Sequence, residues 1–377
     1  MAKTRLANVE LLRTVAMIMV IIMHFVRESG YLLTVQTESL SFQYVLAMLL
    51  ESFCIVAVNA FVFISGYYGT EGNYKPSKVL RFWFRVLFYT LLIPVVLICL
   101  GIPTVWNLEG IYGLVQYALP ISSEHYWFAS AYFYLLLLMP FLNKGINSLS
   151  RQQLAVITVG LLMVFCVVKS VVPVKLAFDR FGYDVIWFVC VYLVAAYLRL
   201  YGGKYQEWLK KYGLMLYVAS SILIFGLTLG IWKVLPNFSG LSYYFEVLFH
   251  YNFILCLTGA IGLFYAFFRM NIREGKIAEI CRNLGKYCFG IYLLHEHIDL
   301  RHFWYPLLTG NIGVAVSDNI GGFVLALLLC VVILFTAGVC IDWIREKIFV
   351  VICKMAGKTF VGEAVCRLDD ICAKKEG

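Results

Sequence analysis

Residues 8–25 read NVELLRTVAMIMVIIMHF, and this stretch decides the fold class. It is long and apolar enough to cross a bilayer, which takes about 17–25 residues of helix. It nevertheless carries Glu10, Arg13 and His24. A charged side chain at the centre of a membrane helix costs about 2.5–3.5 kcal/mol on the insertion scale. These three groups are therefore expected to face protein rather than lipid.

Arg13 and His24 are predicted to share one face of this helix. They are eleven residues apart, which is about 20° past three full turns and a rise of about 16 Å. Glu10 precedes Arg13 by three residues, close enough to neutralise it. The pattern favours a buried path from an anionic cytoplasmic ligand to chemistry near the outer surface. The alternative is a structural Glu10–Arg13 ion pair, with His24 in a helix–helix contact.

The composition of the whole chain predicts an all-α polytopic membrane protein. Of 377 residues, 62% are hydrophobic and 14% are charged, whereas soluble proteins average about 25% charged residues. We expect about ten transmembrane helices, one for each long apolar run. The runs lie near 8–27, 43–68, 80–102, 127–143, 153–173, 184–200, 212–233, 246–268, 287–308 and 321–343.

The distribution of basic residues predicts how the chain is oriented. With these spans, 24 of the 31 Lys and Arg residues fall in the two termini and the even-numbered connections, and six fall in the odd-numbered ones. This asymmetry predicts cytoplasmic N- and C-termini in a multi-pass protein of the cell membrane. It also explains the net charge of +9 without a nucleic-acid partner. We expect a transmembrane domain over 1–344 and a short cytoplasmic tail over 345–377.

The second and third apolar runs carry two further candidate motifs. FVFISGYY spans 61–68 and places Ser65 beside a glycine and before Tyr67. Close helix packing is the favoured interpretation there, and a serine nucleophile is the alternative. Lys78, Arg81 and Arg85 follow at spacings of three and four, on one helical face. They either anchor the helix at the cytoplasmic surface or clamp phosphate groups.

Two polar clusters are expected nearer the outer surface. His125 and Trp127 open the fourth run, and the histidine is a candidate second titratable group facing the site. The stretch LGKYCFGIYLLHEHIDL covers 284–300 and, as a helix, would form one polar stripe with His297 pointing elsewhere. The members of that stripe are Tyr292, His295, Glu296 and Asp299. The chain has no CxxC pair and no H-E-x-x-H spacing, so no metal site is predicted.

Together these motifs resemble acyltransferase family 3, a family of integral membrane acyltransferases. The first helix resembles that family's arginine–ten residues–histidine signature at Arg13 and His24. The other similar stretches follow in the family's order: FVFISGYY, KVLRFWFRVLFYTLLIP, HYWFASAYFYLLLLMP and LGKYCFGIYLLH. Relatives often carry a twin arginine in the third helix, where this chain has Lys78, Arg81 and Arg85.

The resemblance implies transfer of an acyl group, usually acetyl, from cytoplasmic acyl-CoA to a hydroxyl of an extracytoplasmic or lipid-linked glycan. It implies that His24 is essential and that Arg13 takes part. It also implies a bacterial envelope, with acyl-CoA as co-substrate and no bound cofactor. Two other classes stay open. One is a proton-coupled secondary transporter that uses the intramembrane polar groups, and the other is a non-catalytic partner in envelope assembly.

Overall fold

The structure is a computed structural model that describes residues 5–34, 36–70, 74–173, 178–311, 319–356 and 368–369. These residues form helices and turns, and no β-strand occurs among them. A π-helical stretch, Met163–Val168, joins α8 to α9, and two 3₁₀ turns, Leu235–Asn237 and Ser239–Leu241, precede α12. The α-helices are α1 (Ala7–Glu28), α2 (Phe42–Cys54), α3 (Ala57–Gly69), α4 (Pro76–Cys99), α5 (Val105–Glu109), α6 (Ile111–Ala118), α7 (Trp127–Ser148), α8 (Arg151–Leu162), α9 (Lys169–Val171), α10 (Val185–Tyr201), α11 (Gly203–Val234), α12 (Ser242–Val247), α13 (Ile254–Phe268), α14 (Lys276–His295), α15 (Trp304–Asn311) and α16 (Ile320–Ala356).

The predicted all-α polytopic class is confirmed by the length and composition of the helices. In the described part of the chain, 7 helical segments are long and apolar enough to cross a membrane, and α10 and α13 are shorter apolar helices. The count of about ten spans and the cytoplasmic termini stay predictions. The division at residues 344 and 345 also stays a prediction, because most of the tail lies outside the described residues.

The second predicted span is a single apolar segment with a break in the middle. The segment Phe42–Gly69 covers 28 residues, and a turn after Cys54 divides it into α2 and α3. The thiol of Cys256 donates to the carbonyl of Ile55 at 3.5 Å, so a backbone group freed by the break has a partner. Just beyond it, the buried Asn59 amide donates to the carbonyl of Tyr251 at 2.7 Å. These contacts come from α13 and the turn before it, so tertiary packing rather than a local glycine or proline positions the break.

Two other predicted spans have different bounds in the structure. The run predicted over 246–268 is helical as α13 only from Ile254, after a turn. The run predicted over 287–308 is not one helix, because α14 begins earlier, at Lys276, and ends at His295.

The polar stripe predicted beyond His295 is therefore wrong as a helical face. Glu296 is the C-cap residue of α14, and Asp299 lies in the following turn. The Asp299 carboxylate accepts from the backbone N–H of Val105 at 2.8 Å and from the hydroxyl of Tyr117 at 2.7 Å. These bonds tie the turn to α5 and α6.

Helix α1 lies at the centre of the bundle and packs against α2, α3, α13, α14 and α16. Gly285 allows α14 to approach it, since a Cβ there would lie 2.7 Å from the backbone oxygen of Glu10. Gly66 plays the same part between α3 and α10, where a Cβ would lie 2.8 Å from the carbonyl oxygen of Tyr192. Small residues at such crossings let membrane helices pack closely.

Candidate active site

A cavity of about 250 Å³ follows one face of α1. Arg13 and His24 both line it, so their predicted shared face is confirmed. Helix α14 packs beside α1, with Gly285 against Glu10 and His295 against His24. We call the end of the cavity near Arg13 the cationic end and the end near His24 the histidine end. The wall between the ends is largely apolar and includes Met17, Val20, Met23, Val58, Phe61, Phe82, Phe128 and Phe289.

The hydrogen bonds around His24 determine which of its ring nitrogens is free. Nδ1 of His295 lies 2.6 Å from the carbonyl oxygen of Ile291, and a carbonyl can only accept, so that nitrogen carries a proton. In a neutral His295 ring, Nε2 is then an acceptor. It lies 2.9 Å from Nδ1 of His24, which must donate to it. Nε2 of His24 is left without a proton and is available as a base.

Glu296 completes this group. Its carboxylate lies 3.3 Å from Nδ1 of His24, on the same side as His295. When His24 gains a proton at Nε2, the ring becomes an imidazolium, and a carboxylate at this distance stabilises the positive charge. The arrangement therefore suits a general base that must hold a proton briefly and return it.

The cationic end holds more positive than negative charge. Glu10 is buried and pairs with both Arg13 and Arg5. Lys286 pairs with Glu346 and also lines the cavity. Two arginines thus share one carboxylate at the start of α1, which leaves guanidinium hydrogen-bond donors for an anionic ligand.

Arg85 reaches the same end of the cavity from α4. Its guanidinium donates to both carboxylate oxygens of the fully buried Asp342 and lies 5.2 Å over the ring of Phe289. Asp342 also accepts from Arg345, at 2.6 and 3.1 Å, and from Tyr89, at 3.1 Å. Again two arginines share one acid, and the two hydrogen bonds to Asp342 orient the side chain of Arg85.

The structure brings only part of the predicted set to the cavity. Within the described residues, six predicted site residues line it directly: Arg13, His24, Ser65, Arg85, Trp127 and Tyr292. Glu10 and His295 do not line the cavity, but they bond Arg13 and His24, which do. Lys78 and Arg81 are exposed, and Arg81 bonds Ser77. Tyr67 is buried in an aromatic cluster with Phe63 and Phe264.

Ser65 has hydrogen bonds that do not favour a nucleophile. Its hydroxyl lies 3.1 Å from the carbonyl oxygen of Phe61 and 2.9 Å from the hydroxyl of Tyr132. In the described part of the chain, no histidine or carboxylate bonds it, whereas an activated serine needs an adjacent base.

His125 lies in a second, separate histidine group. Its ring centroid is 4.4 Å from that of His297, and both rings are buried. Both also lie next to Tyr117, whose hydroxyl donates to Asp299. Burial, followed by the charge of Arg301, lowers the pKa of His125 to about 3. A ring that stays neutral and packed in this way holds the turn after α14 against α6, and it does not line the cavity.

Several cavity residues were not singled out in the sequence. Tyr251 and Lys286 line the cavity, and Asp342 orients Arg85 from α16. One signal was available, because Asp342 is an acidic residue inside an apolar run and such groups usually have a buried partner.

The histidine end contains three potential metal ligands. The donor atoms of His24, His295 and Glu296 lie within 4.8 Å of one another. The direct His24–His295 hydrogen bond and the Ile291 carbonyl already satisfy three of the four ring nitrogens. These residues therefore fit a proton-holding group without requiring a cation.

Fold and site together define a helical membrane protein in which one cavity has a cationic end and a histidine end. The chain matches the model of the acyltransferase 3 family, described as "Acyltransferase domain", over residues 6–341, and it belongs to this family. It is therefore a membrane acyltransferase. No curated protein and no solved structure matches the chain.

Proposed function

We propose that the protein transfers an acetyl group from cytoplasmic acetyl-CoA to a hydroxyl of an extracytoplasmic or lipid-linked glycan. One observation carries the proposal: a single cavity joins an arginine-rich end to a histidine with a free Nε2. CoA carries its negative phosphates at one end and its reactive thioester at the other. The cavity complements this order, because its cationic end matches the phosphates and its histidine end matches the thioester.

The cationic end suits the phosphates of CoA. Arg13, Arg85 and Arg5 offer guanidinium groups, which match phosphate geometry better than ammonium groups do. The apolar wall then accommodates the pantetheine arm, and the thioester reaches His24. In this assignment the donor site relies on Arg85 alone among the three basic residues predicted on α4, because Lys78 and Arg81 are exposed.

His24 supplies the chemistry. Nε2 takes the proton of the acceptor hydroxyl as the oxygen attacks the thioester carbonyl carbon. The new C–O bond forms, the C–S bond breaks, and the departing CoA thiolate receives the proton from the imidazolium. Glu296 and His295 hold the charged ring at Nδ1 throughout, so protonation changes only at Nε2.

The orientation of the reaction follows from the basic connections of the chain. Arg13 precedes His24 on α1, and a cytoplasmic N-terminus places the cationic end on the donor side. The acceptor would then approach the histidine end from outside the plasma membrane.

The test measures CoA release from acetyl-CoA by membranes carrying the wild type, His24→Ala or His302→Ala, with crude cell-envelope glycan as acceptor. His302 is a matched control, because it is exposed and, among the described residues, its ion pair is with Glu28. We expect glycan-dependent release from the wild type and the control, and none above background from His24→Ala. Equal release from all three proteins would reject His24 as the base, and no release from a folded wild type would reject acetyl transfer to this acceptor.

A further inference from the structure

The hydroxyl of Tyr292 is buried in the wall of the cavity without a hydrogen-bond partner. The residue is 5% exposed and lines the cavity, and no group among the described residues makes a hydrogen bond of normal geometry with its hydroxyl. Tyr132 lines the same cavity, but its hydroxyl lies 2.9 Å from that of Ser65. Leaving a buried hydroxyl unpaired costs free energy. The Tyr292 phenol therefore indicates a ligand that enters the cavity and accepts its hydrogen bond.

Tyr292 lies beside the histidine end of the cavity. It precedes His295 by three residues on α14, which is about one turn, and the two ring centroids are 6.3 Å apart. His295 in turn bonds His24 at 2.9 Å. Tyr292 also meets Phe128 of α7, at 5.7 Å between ring centroids. The phenol thus connects the surroundings of His24 with the start of α7.

The start of α7 presents backbone donors at the same place. The helix begins at Trp127, and its N-cap residue, Tyr126, makes no side-chain cap. In the part of the chain that the structure describes, no hydrogen bond uses the N–H groups of Trp127, Phe128 and Ala129. Those of Phe128 and Ala129 approach the Tyr292 hydroxyl. Unpaired N–H groups at a helix N-terminus favour negative charge, and the helix dipole adds to this effect.

We propose that the Tyr292 hydroxyl and the backbone N–H groups at the start of α7 form the oxyanion hole of the acyl transfer. When the acceptor oxygen bonds the thioester carbonyl carbon, one electron pair of the C=O bond moves onto the carbonyl oxygen. Tyr292 and Phe128 donate hydrogen bonds to this negative oxygen. The pair returns as the C–S bond breaks, and the proton of Tyr292 stays on Tyr292. The inference rests on the proposed function and adds a catalytic residue to it.

The roles of base and oxyanion donor fall to groups of different chemistry. A phenol keeps its proton at neutral pH, so Tyr292 suits a donor rather than a base. The imidazole of His24 has Nε2 free and suits the base. The donors come from α14 and α7, whereas the base comes from α1. Donors that are fixed before the reaction need no reorganisation when the charge develops.

The test compares the full-length wild type in detergent with Tyr292→Phe and with Tyr132→Phe. Tyr132 is the matched control, because its phenol lines the same cavity but already has a partner in Ser65. CoA release is measured with crude envelope glycan and with water as the acceptor, since both reactions pass through the same kind of oxyanion. For Tyr292→Phe we expect kcat to fall about 100-fold with either acceptor, while the KM for acetyl-CoA stays unchanged. Tyr132→Phe should keep its kcat.

Thermal melting separates a catalytic role from a structural one. Tyr292→Phe should melt no lower than the wild type, because the substitution removes an unpaired buried hydroxyl. Tyr132→Phe breaks a hydrogen bond and should melt lower. An unchanged kcat in Tyr292→Phe would overturn the oxyanion hole, and so would a loss of kcat that came with a lower melting temperature. A loss confined to the reaction with glycan would also overturn it and would make Tyr292 part of the acceptor site.

A third substrate separates this inference from the proposed function. Hydrolysis of p-nitrophenyl acetate passes through an oxyanion but needs neither CoA nor glycan. If the wild type hydrolysed this ester and released no CoA with glycan, the proposed function would fail. A matching loss of ester hydrolysis in Tyr292→Phe would then still support the oxyanion hole. Ester hydrolysis by Tyr292→Phe at the wild-type rate, or none by a folded wild type, would reject it.

Discussion

Replacing Asp342 with Asn should lower the stability of the fold and weaken binding of the proposed donor, acetyl-CoA. The carboxylate is 0% exposed and accepts five hydrogen bonds from Arg85, Arg345 and Tyr89. In Asp342→Asn, two guanidinium groups face each other without the acid that separates them. The side chain of Arg85 would then turn away from the cavity, and its proposed contact with CoA phosphates would be lost.

The magnitude follows from how deeply the group is buried. Removing one partner of a buried ion pair costs about 3–5 kcal/mol. The side chains of Arg85 and Arg345 retain 18% and 11% of their exposure, so water offsets part of the loss. We therefore expect the lower end, about 3 kcal/mol, or a fall in melting temperature of roughly 5–10 °C. Loss of one charged hydrogen bond to phosphate should raise the KM for acetyl-CoA about tenfold or more.

Melting in detergent at one fixed scan rate and KM from CoA release give the two readouts. The double variant Asp342→Asn with Arg345→Gln serves as the control, because it restores the charge balance of the cluster. It should recover part of the melting temperature but leave the KM for acetyl-CoA raised, since Arg85 still lacks its orienting acid. If Asp342→Asn kept the wild-type melting temperature and KM, the reasoning about Arg85 would be refuted.

Three further outcomes are expected. His295→Phe removes the acceptor that fixes the proton on Nδ1 of His24, the proposed base, so kcat should fall about 100-fold, and His295→Gln, which keeps an acceptor, should recover part of it; equal rates would contradict this. Gly66→Ala places a Cβ 2.8 Å from a backbone carbonyl of α10 and should cost about 1–3 kcal/mol. Gly230→Ala, which meets nothing within 4 Å, should leave the melting temperature unchanged, and equal melting of the two variants would count against the packing argument. Since burial lowers the pKa of His125 to about 3, stability is lost as pH falls below about 6.5, by about 2 kcal/mol at pH 5. The wild type should therefore lose more melting temperature between pH 7 and pH 5 than His125→Phe does.

Features that depend on local periodicity could be predicted from the sequence. The shared face of Arg13 and His24 needed only the helical repeat, and the spanning helices needed only the length of apolar runs. The bonding of Arg85 to Asp342 joins residues 257 positions apart, so no local pattern indicates it. The end of α14 at His295 is equally hidden, because neither glycine nor proline follows and the turn is held by Asp299 through α5 and α6.

The candidate site also contains residues that the sequence indicates and residues that only the packing of the helices reveals. His24 and Arg13 were recognisable by residue type, since charged groups inside an apolar helix have few structural uses. Lys78 and Arg81 have the same chemistry as Arg85, and only the packing of α4 on α14 and α16 shows that Arg85 alone of the three lines the cavity.

Because α1 carries both Arg13 and His24, the proposed function makes the length of the donor a condition for reaction. One continuous helix sets the spacing between Arg13, proposed to contact phosphate, and His24, the proposed base, at about 16 Å. A thioester on a much shorter carrier could touch one end but not both, so donor choice would depend on the length of the arm as much as on its contacts. A single residue inserted between the two would turn His24 by about 100° away from Arg13, whereas a shift of one whole turn would keep the face and change the reach. In the proposed function, the helix thus serves as a ruler, and the acyl carriers that we expect the enzyme to accept are those whose length matches it.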